Sequence, residues 1–170
     1  MHIELDDLSR PEVHALLQEH LSSMHELSPP DSVHALDLHA LRESNVTFWT
    51  AWEDGLLLGC GALKELTPTH GEVKSMRTPQ SVRRRGAGQA VLTHIVAEAR
   101  SRGYRRLSLE TGSMAAFKPA HTLYERFGFR FCAPFADYRG SEQRLHDTGA
   151  VTRDAHPQME VAVSAWRYTG

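Results

Sequence analysis

The sequence predicts an α/β or α+β protein built on a central sheet with helices on both faces, and three observations carry that reading. Strand-like and helix-like segments follow one another in mixed order, with no internal repeat and no low-complexity linker. Two segments carry apolar residues at helical spacing: Val91, Leu92, Ile95, Val96 and Ala99 in one, and Ala116, Ala120, Leu123, Tyr124 and Phe127 in the other. Between a strand and the first of these helices stands the turn Gly86-Ala87-Gly88, and strand-to-helix turns are where open α/β sheets place their ligands. With 170 residues, 41% of them hydrophobic and 24% charged, the chain has globular composition and the length for one domain with a real core.

In chain order, residues 2–6 read as a short strand. Residues 11–21 read as a helix because Val13, Leu16, Leu17 and Leu21 form one stripe. Ser28-Pro29-Pro30-Asp31-Ser32 breaks the chain, and residues 33–42 read as a second helix that Asp31 or Ser32 could cap. Residues 47–53 and 56–66 flank Asp54-Gly55, a hairpin signal. Residues 72–78 form a fourth strand ended by Pro79, and the helix over 89–102 stops at Gly103. A strand over 106–111, a helix over 116–127 and a strand over 129–135 follow. Residues 139–157 are polar, a loop or a divergent tail. Residues 158–167, where Met159, Val161, Val163 and Ala165 alternate with polar or small residues, read either as a last strand or as part of that tail.

Composition excludes several classes. A net charge of −2 and a pI of about 6.6 disfavour a general nucleic-acid binder. No apolar run approaches the ~20 residues of a membrane span, and the start Met1-His2-Ile3-Glu4-Leu5-Asp6-Asp7 is acidic where a signal peptide is basic. A cytoplasmic protein without a membrane partner is the expectation. Cys60 and Cys132 sit in apolar, strand-like stretches and read as buried free thiols. The 11 histidines invite a metal reading. However, neither His20 with His25 nor His34 with His39 has the i, i+4 spacing of a helical site, there is no His-Glu-x-x-His, and no metal is expected.

The chemistry concentrates in Arg83-Arg84-Arg85-Gly86-Ala87-Gly88. A glycine turn at a helix start offers backbone N–H groups and the positive end of the helix dipole, and the arginines add charge-assisted donors, which together make a pyrophosphate cradle. Taken alone, Arg-x-x-Gly-x-Gly is also compatible with a solvated basic loop. It has neither the Gly-Lys-Ser/Thr ending nor the full Gly-x-Gly-x-x-Gly of the common nucleotide loops. The strand Glu72-Val73-Lys74-Ser75-Met76-Arg77-Thr78-Pro79, then Arg83-x-x-Gly86-x-Gly88, then Ala120-x-x-Leu123-Tyr124-x-x-x-Gly128-Phe129 resembles, in order and spacing, the core of the Gcn5-related N-acetyltransferases (GNAT) over about residues 45–135. Residues 20–38, with Ser28-Pro29-Pro30-Asp31-Ser32-Val33-His34-Ala35-Leu36, are similar to a subfamily of small bacterial acetyltransferases.

The resemblance implies one N-acetyltransferase domain over residues 1–170, with a mixed, mostly antiparallel sheet whose fourth and fifth strands splay apart. The pantetheine arm of acetyl-CoA would lie in the gap and pair with the backbone of Met76, Arg77 and Thr78 like an added strand. The pyrophosphate would take N–H bonds from the turn Arg84, Arg85, Gly86, Ala87, Gly88 and Gln89, with one or more of Arg83, Arg84 and Arg85 as counter-charges. Gly86 and Gly88 would keep the backbone within reach of the phosphate. Tyr124 matches the tyrosine that in many members protonates the leaving thiolate, although it also lies on the apolar stripe of its helix. Glu72 matches the place of a carboxylate general base in some members; its alternative is an exposed strand-end residue. A backbone N–H near Met76 would stabilise the oxyanion. Three residues before Ala120, where members often carry a cofactor-contacting asparagine, this chain has Phe117, so that contact is lost or replaced by stacking or by Lys118 or Ser113.

The acceptor side is expected to draw on His20, Met24, His25, Glu26 and Ser28, with Trp49 or Trp52 from the second strand. The resulting expectation is direct transfer from acetyl-CoA to a small primary amine without an acyl-enzyme, because Cys60 lacks a neighbour that would activate it. A homodimer is left open. A transferase with another acyl donor or a hydroxyl acceptor, and a CoA-binding sensor on the same fold, remain the alternatives.

Overall fold

The computed structural model describes residues 1–27, 38–112, 115–132 and 158–164. The strands β1 (His2–Leu5), β2 (Val46–Glu53), β3 (Leu56–Thr67), β4 (His70–Arg77), β5 (Arg106–Gly112), β6 (Arg130–Cys132) and β7 (Gln158–Ser164) form one seven-stranded sheet in the order β1-β2-β3-β4-β5-β7-β6. Pairing is antiparallel from β1 to β4, then parallel for β4 with β5, β5 with β7 and β6 with β7. The sheet is mixed, as expected, and its antiparallel part ends at β4. A parallel neighbour to β6 needs a long connection, and residues 133–157 supply that length.

The helices are α1 (Pro11–Leu27), α2 (Leu38–Leu41), α3 (Ala87–Ser101) and α4 (Lys118–Arg126). α1 runs past residue 21. Of the second helix expected over 33–42, α2 lies within the described residues, whereas residues 28–37, including the capping candidates Asp31 and Ser32, lie outside them. α4 begins at 118 and not 116 because Pro119 fits the first turn, where a missing N–H leaves no bond unmade. Residues 115–117 form a short 3-10 turn before it. Asp54 and Gly55 both have positive φ, 51° and 77°, the hairpin geometry that a two-residue Asp-Gly loop selects. β7 meets the last-strand reading of 158–167 through residue 164. The segments 133–135, 139–157 and 165–167 lie outside the described residues, as does Ser113.

Alternation along the strands divides the core in two. On one face Val13, Leu16 and Leu17 of α1 and Leu41 of α2 pack against Phe48, Trp52, Cys60 and Ala62. On the other, Val91, Leu92, Ile95, Val96 and Ala99 of α3, with Tyr124 and Phe129, pack against Trp49, Ala51, Leu63 and Val73. Each fully buried aliphatic side chain in this stripe contributes about 1.5–3 kcal/mol. α3 lies close to β3 because Gly61 presents bare backbone: a Cβ there would stand 2.7 Å from Met76 Sδ and 2.8 Å from Val91 Cγ1.

One irregularity shapes the centre of the sheet. β3 advances from Cys60 to Ala62 while β4 goes from Arg77 back to Lys74, so β4 holds one extra residue. Ser75 adopts φ 52°, the left-handed conformation of a bulge, and its carbonyl accepts the Cys60 thiol at 3.4 Å. The ladder between β4 and β5 runs from His70↔Arg106 to Val73↔Leu109 and stops there. Past that point Lys74 to Arg77 of β4 and Glu110 to Gly112 of β5 diverge, and a splayed opening forms between two parallel strands.

Candidate active site

The groups that the sequence singles out lie on β4 and on the elements that follow it: Glu72 on β4, the arginine run before α3, the start of α3, and Tyr124 on α4. At the end of β4, α3 starts at Gly86, whose φ of 81° is the reason for glycine there. A Cβ at that position would meet nothing within 4 Å, so backbone conformation and not crowding by the protein selects it. No side chain caps the helix, and the first intrahelical bond runs from the Ala90 N–H to the Gly86 carbonyl at 3.0 Å. The N–H groups of Ala87, Gly88 and Gln89 therefore have no acceptor within the helix and stand at its positive end. A Cβ at Gly88 would lie 3.6 Å from Leu123 Cδ2 and 3.8 Å from Thr78 Oγ1, which is ordinary contact.

The three arginines before the turn are exposed and not equivalent. Arg85 donates to Glu53 Oε2 at 2.6 Å, and Glu53 also accepts from the amino terminus at 3.1 Å, which ties the turn to the β2–β3 hairpin. Arg84 holds φ 66°. Arg83 and Arg84 make no ion pair among the described residues and have the freer charges for an anion.

Tyr124 projects from α4 into the core beside the opening, buried, with its ring tilted against Phe129 at 5.8 Å between centroids. Burial pushes its phenol up to about 12, outweighing the nearby Arg77 guanidinium, which acts in the opposite direction. The hydroxyl therefore stays protonated, as a proton donor must. Ala120 packs at the rim of the same cluster, and Phe117 is half-buried at the start of α4.

Glu72 is buried on the α1 face and not exposed at a strand end. It lies opposite Lys64 in β3 and Ser108 in β5, within the paired part of β4. Its Oε1 accepts from Lys74 Nζ at 2.8 Å, which leaves Oε2 as the oxygen that could face the opening. Beside it, His70 Nε2 and Ser108 Oγ lie 2.8 Å apart. The sequence reading missed Lys74; Glu72-x-Lys74 on one strand, with both side chains on one face, was the available signal.

Trp49 lies on the α3 face of the sheet and not on the α1 face. It pairs with Gly61 and is buried under α3, edge-on to His94 at 5.3 Å, with the Arg102 guanidinium 5.8 Å from its ring centre. Trp52 is the one that faces α1, donating to Thr50 Oγ1 at 2.8 Å. The side chains of His20, Met24, His25 and Glu26, and Ser28 altogether, lie outside the described residues.

Residues 12–129 match the family model described as acetyltransferase (GNAT) family. The chain is 60% identical to the uncharacterized N-acetyltransferase YsnE of Bacillus subtilis over 81% of its length and 91% of the relative's. It is 52% identical to the uncharacterized N-acetyltransferase YedL of Escherichia coli, covering 81% and 86%. The chain belongs to the GNAT acetyltransferase family. Its fold is also that of a GNAT acetyltransferase from Elizabethkingia anophelis solved with acetyl-CoA bound, at a TM-score of 0.55 and 18% identity, covering 76% of this chain and 75% of that one. No helix among the described residues of this GNAT protein is long and apolar enough to cross a membrane.

Neither cysteine is in a disulfide: Cys132 is half-buried in β6, and Cys60 lies opposite Arg77 in the β3–β4 ladder. Cys60 is fully buried, and burial raises its thiol to about 12. At pH 8 iodoacetamide should leave Cys60 unmodified in the native acetyltransferase and label it only after denaturation, as peptide mass mapping would show. Native-state labelling of Cys60 at a rate near that of free cysteine would contradict this packing.

Proposed function

We propose that this GNAT acetyltransferase is a single domain that transfers the acetyl group of acetyl-CoA directly to a primary amine of a small molecule. The splay of β4 from β5, with the α3 amino terminus at one end and the Tyr124 phenol beside it, is the observation that carries the reading. The pyrophosphate docks on the N–H groups of Ala87, Gly88 and Gln89, with Arg83 and Arg84 as counter-charges. The pantetheine pairs with the open backbone of β4 at Met76 to Thr78, and the thioester reaches the level of Tyr124. A backbone N–H near Met76 stabilises the tetrahedral oxyanion, and the phenol delivers a proton to the departing thiolate. The inert Cys60 thiol supports direct attack over an acyl-enzyme. A thiol-release assay over a panel of amines tests the reading. Tight acetyl-CoA binding with no turnover on any amine would overturn it.

The amine must lose a proton, and Glu72 through Oε2, or a water held there, is the acceptor in this reading. Glu72→Gln should lower kcat/KM and shift or remove the acidic limb of its pH profile. Because the variant leaves Lys74 without its carboxylate, thermal unfolding is measured alongside, and Glu72→Gln with Lys74→Met serves as the matched control. A wild-type profile that follows only the amine's own ionisation, unchanged in the variant, would remove Glu72 from the mechanism.

A further inference from the structure

A base that accepts a proton in every turnover must give it up again, and Glu72 is poorly placed to do so alone. It is 3% exposed, one of its oxygens is taken by Lys74, and bound donor and acceptor would fill the opening. Its neighbour across the ladder to β5 is Ser108, which is fully buried. Ser108 Oγ in turn lies 2.8 Å from Nε2 of His70, the first residue of β4. The ladder from His70↔Arg106 to Val73↔Leu109 is regular, and Val73, Leu107 and Leu109 belong to the α3 face. His70, Glu72 and Ser108 therefore share the α1 face, with Glu72 and Ser108 side by side on strands about 4.8 Å apart. His70 is half-buried, beside the β3–β4 turn. The three residues form a line from the end of the paired ladder back to the solvent edge of the sheet.

The charges around this line leave the imidazole as its outlet. Lys74 donates to Glu72, and Lys64, opposite Glu72 in β3, pairs with Glu43 at 3.4 Å. Arg106, opposite His70 in β5, is exposed, and Glu110 is the next residue of β5 on the face of Ser108. β7 brings Glu160 into register with Ser108, and Glu19 of α1 acts on Arg77, beyond the bulge. Lysine and arginine side chains only donate. His70 is held by a further interaction besides the Ser108 bond, so its ring is positioned. An imidazole ordinarily titrates near ~6.5 and a carboxyl near ~4.3, so passing the proton on to an imidazole raises the neutral amine by up to about 100-fold.

We infer that Ser108 and His70 form a proton relay behind Glu72. Glu72 Oε2 accepts a proton from the ammonium, which frees the amine to attack. The carboxyl O–H passes a proton to Ser108 Oγ while the Ser108 O–H passes its own to His70 Nε2, and the imidazolium returns a proton to water. Ser108 and His70 act through Glu72 and touch neither donor nor acceptor. The inference rests on the amine-transfer reading with Glu72 as base, and extends it.

The test measures kcat/KM against pH for the best amine of the panel at saturating acetyl-CoA, in wild type, Glu72→Gln, His70→Gln and Ser108→Ala, with thermal unfolding on the same samples. In wild type the acidic limb should lie in the imidazole range. His70→Gln keeps a side chain that can bond Ser108 but takes up no proton. It should lower the plateau by about 10–100-fold and move the limb to lower pH, toward the carboxylate range, because the group that must be unprotonated is then the more acidic one. Ser108→Ala interrupts the line and should do the same, although the imidazole is still present. Added imidazole should raise the rate of His70→Ala and not that of wild type. A lower rate at every pH with the limb unmoved would give both residues a structural role and overturn the relay. A limb altered by Glu72→Gln but not by the other two variants would also overturn the relay and leave Glu72 as the base. Four profiles that all follow the amine's own ionisation would remove Glu72 and the relay together. Should His70→Gln and Ser108→Ala fail to fold, ¹⁵N–¹H spectra of resting wild type decide the point. The relay requires the neutral His70 ring to carry its proton on Nδ1 and accept at Nε2, and a ring protonated at Nε2 alone overturns it.

Discussion

Tyr124→Phe lowers turnover by about 10²–10⁴-fold, the usual contribution of a positioned proton donor. The variant loses one oxygen atom and keeps the ring that packs against Phe129, so folding and acetyl-CoA affinity should stay near wild type. Because the phenol is held up to about 12 by burial, Tyr124 should impose no basic limb on the rate profile below about pH 11. The decisive measurement is single-turnover acetylation with acceptors whose attack limits the rate, together with a donor series of decreasing leaving-group pKa. The Phe variant should lose least with the most acidic leaving thiol, which needs least protonation. Equal rates for wild type and variant when chemistry limits turnover would make Tyr124 a core aromatic and nothing more.

Gly88→Ala separates ligand approach from packing. The added Cβ would meet Leu123 and Thr78 only at 3.6 and 3.8 Å, and exchanging glycine for alanine in a helix contributes up to about 1 kcal/mol of stability. The variant should therefore melt at or above the wild-type temperature while binding acetyl-CoA about tenfold or more weakly, and Gly88→Leu about 100-fold or more weakly, as charge-assisted bonds from the helix start are lost. Titration calorimetry with CoA and scanning calorimetry on the same samples read both quantities. Unchanged affinity in a stable Gly88→Leu protein would remove the α3 amino terminus from the donor site. Gly86 is less informative, since its φ of 81° strains any side chain whether or not a ligand binds.

Much of this molecule is legible in the order of its residues. The stripe Val91, Leu92, Ile95, Val96 and Ala99 predicts α3 and its buried face, and all five are in the core. Asp54-Gly55 predicts the β2–β3 hairpin, Pro79 the end of β4, and the basic glycine turn the opening of α3. These are local features. Helical periodicity, turn residues and helix starts depend on interactions within a few positions, so neighbours in sequence suffice to specify them.

The other features depend on partners far away in the chain. Alternation in β2 shows that Trp49 and Trp52 are inward-facing residues, but not which of two buried faces each one joins. Pairing of Trp49 with Gly61 under α3, and of Trp52 with the α1 cluster, decides that. The extra residue in β4 exists only relative to β3, so no property of Lys74-Ser75-Met76-Arg77 announces the bulge, the end of the β4–β5 ladder at Val73 or the face to which Arg77 turns. Glu72 likewise reads as either an exposed strand-end residue or a base, and only the sheet, which buries it beside Lys74 and Ser108, removes the exposed alternative. The sequence by itself determined most of the elements, the family and the glycine turn that opens α3, because those rest on short-range geometry and local motifs. The tertiary structure alone decided the bulge at Ser75, the residue at which the β4–β5 ladder ends and the pairing of Glu72 with Lys74, because a strand's side chains acquire a side only when its register with another strand is set.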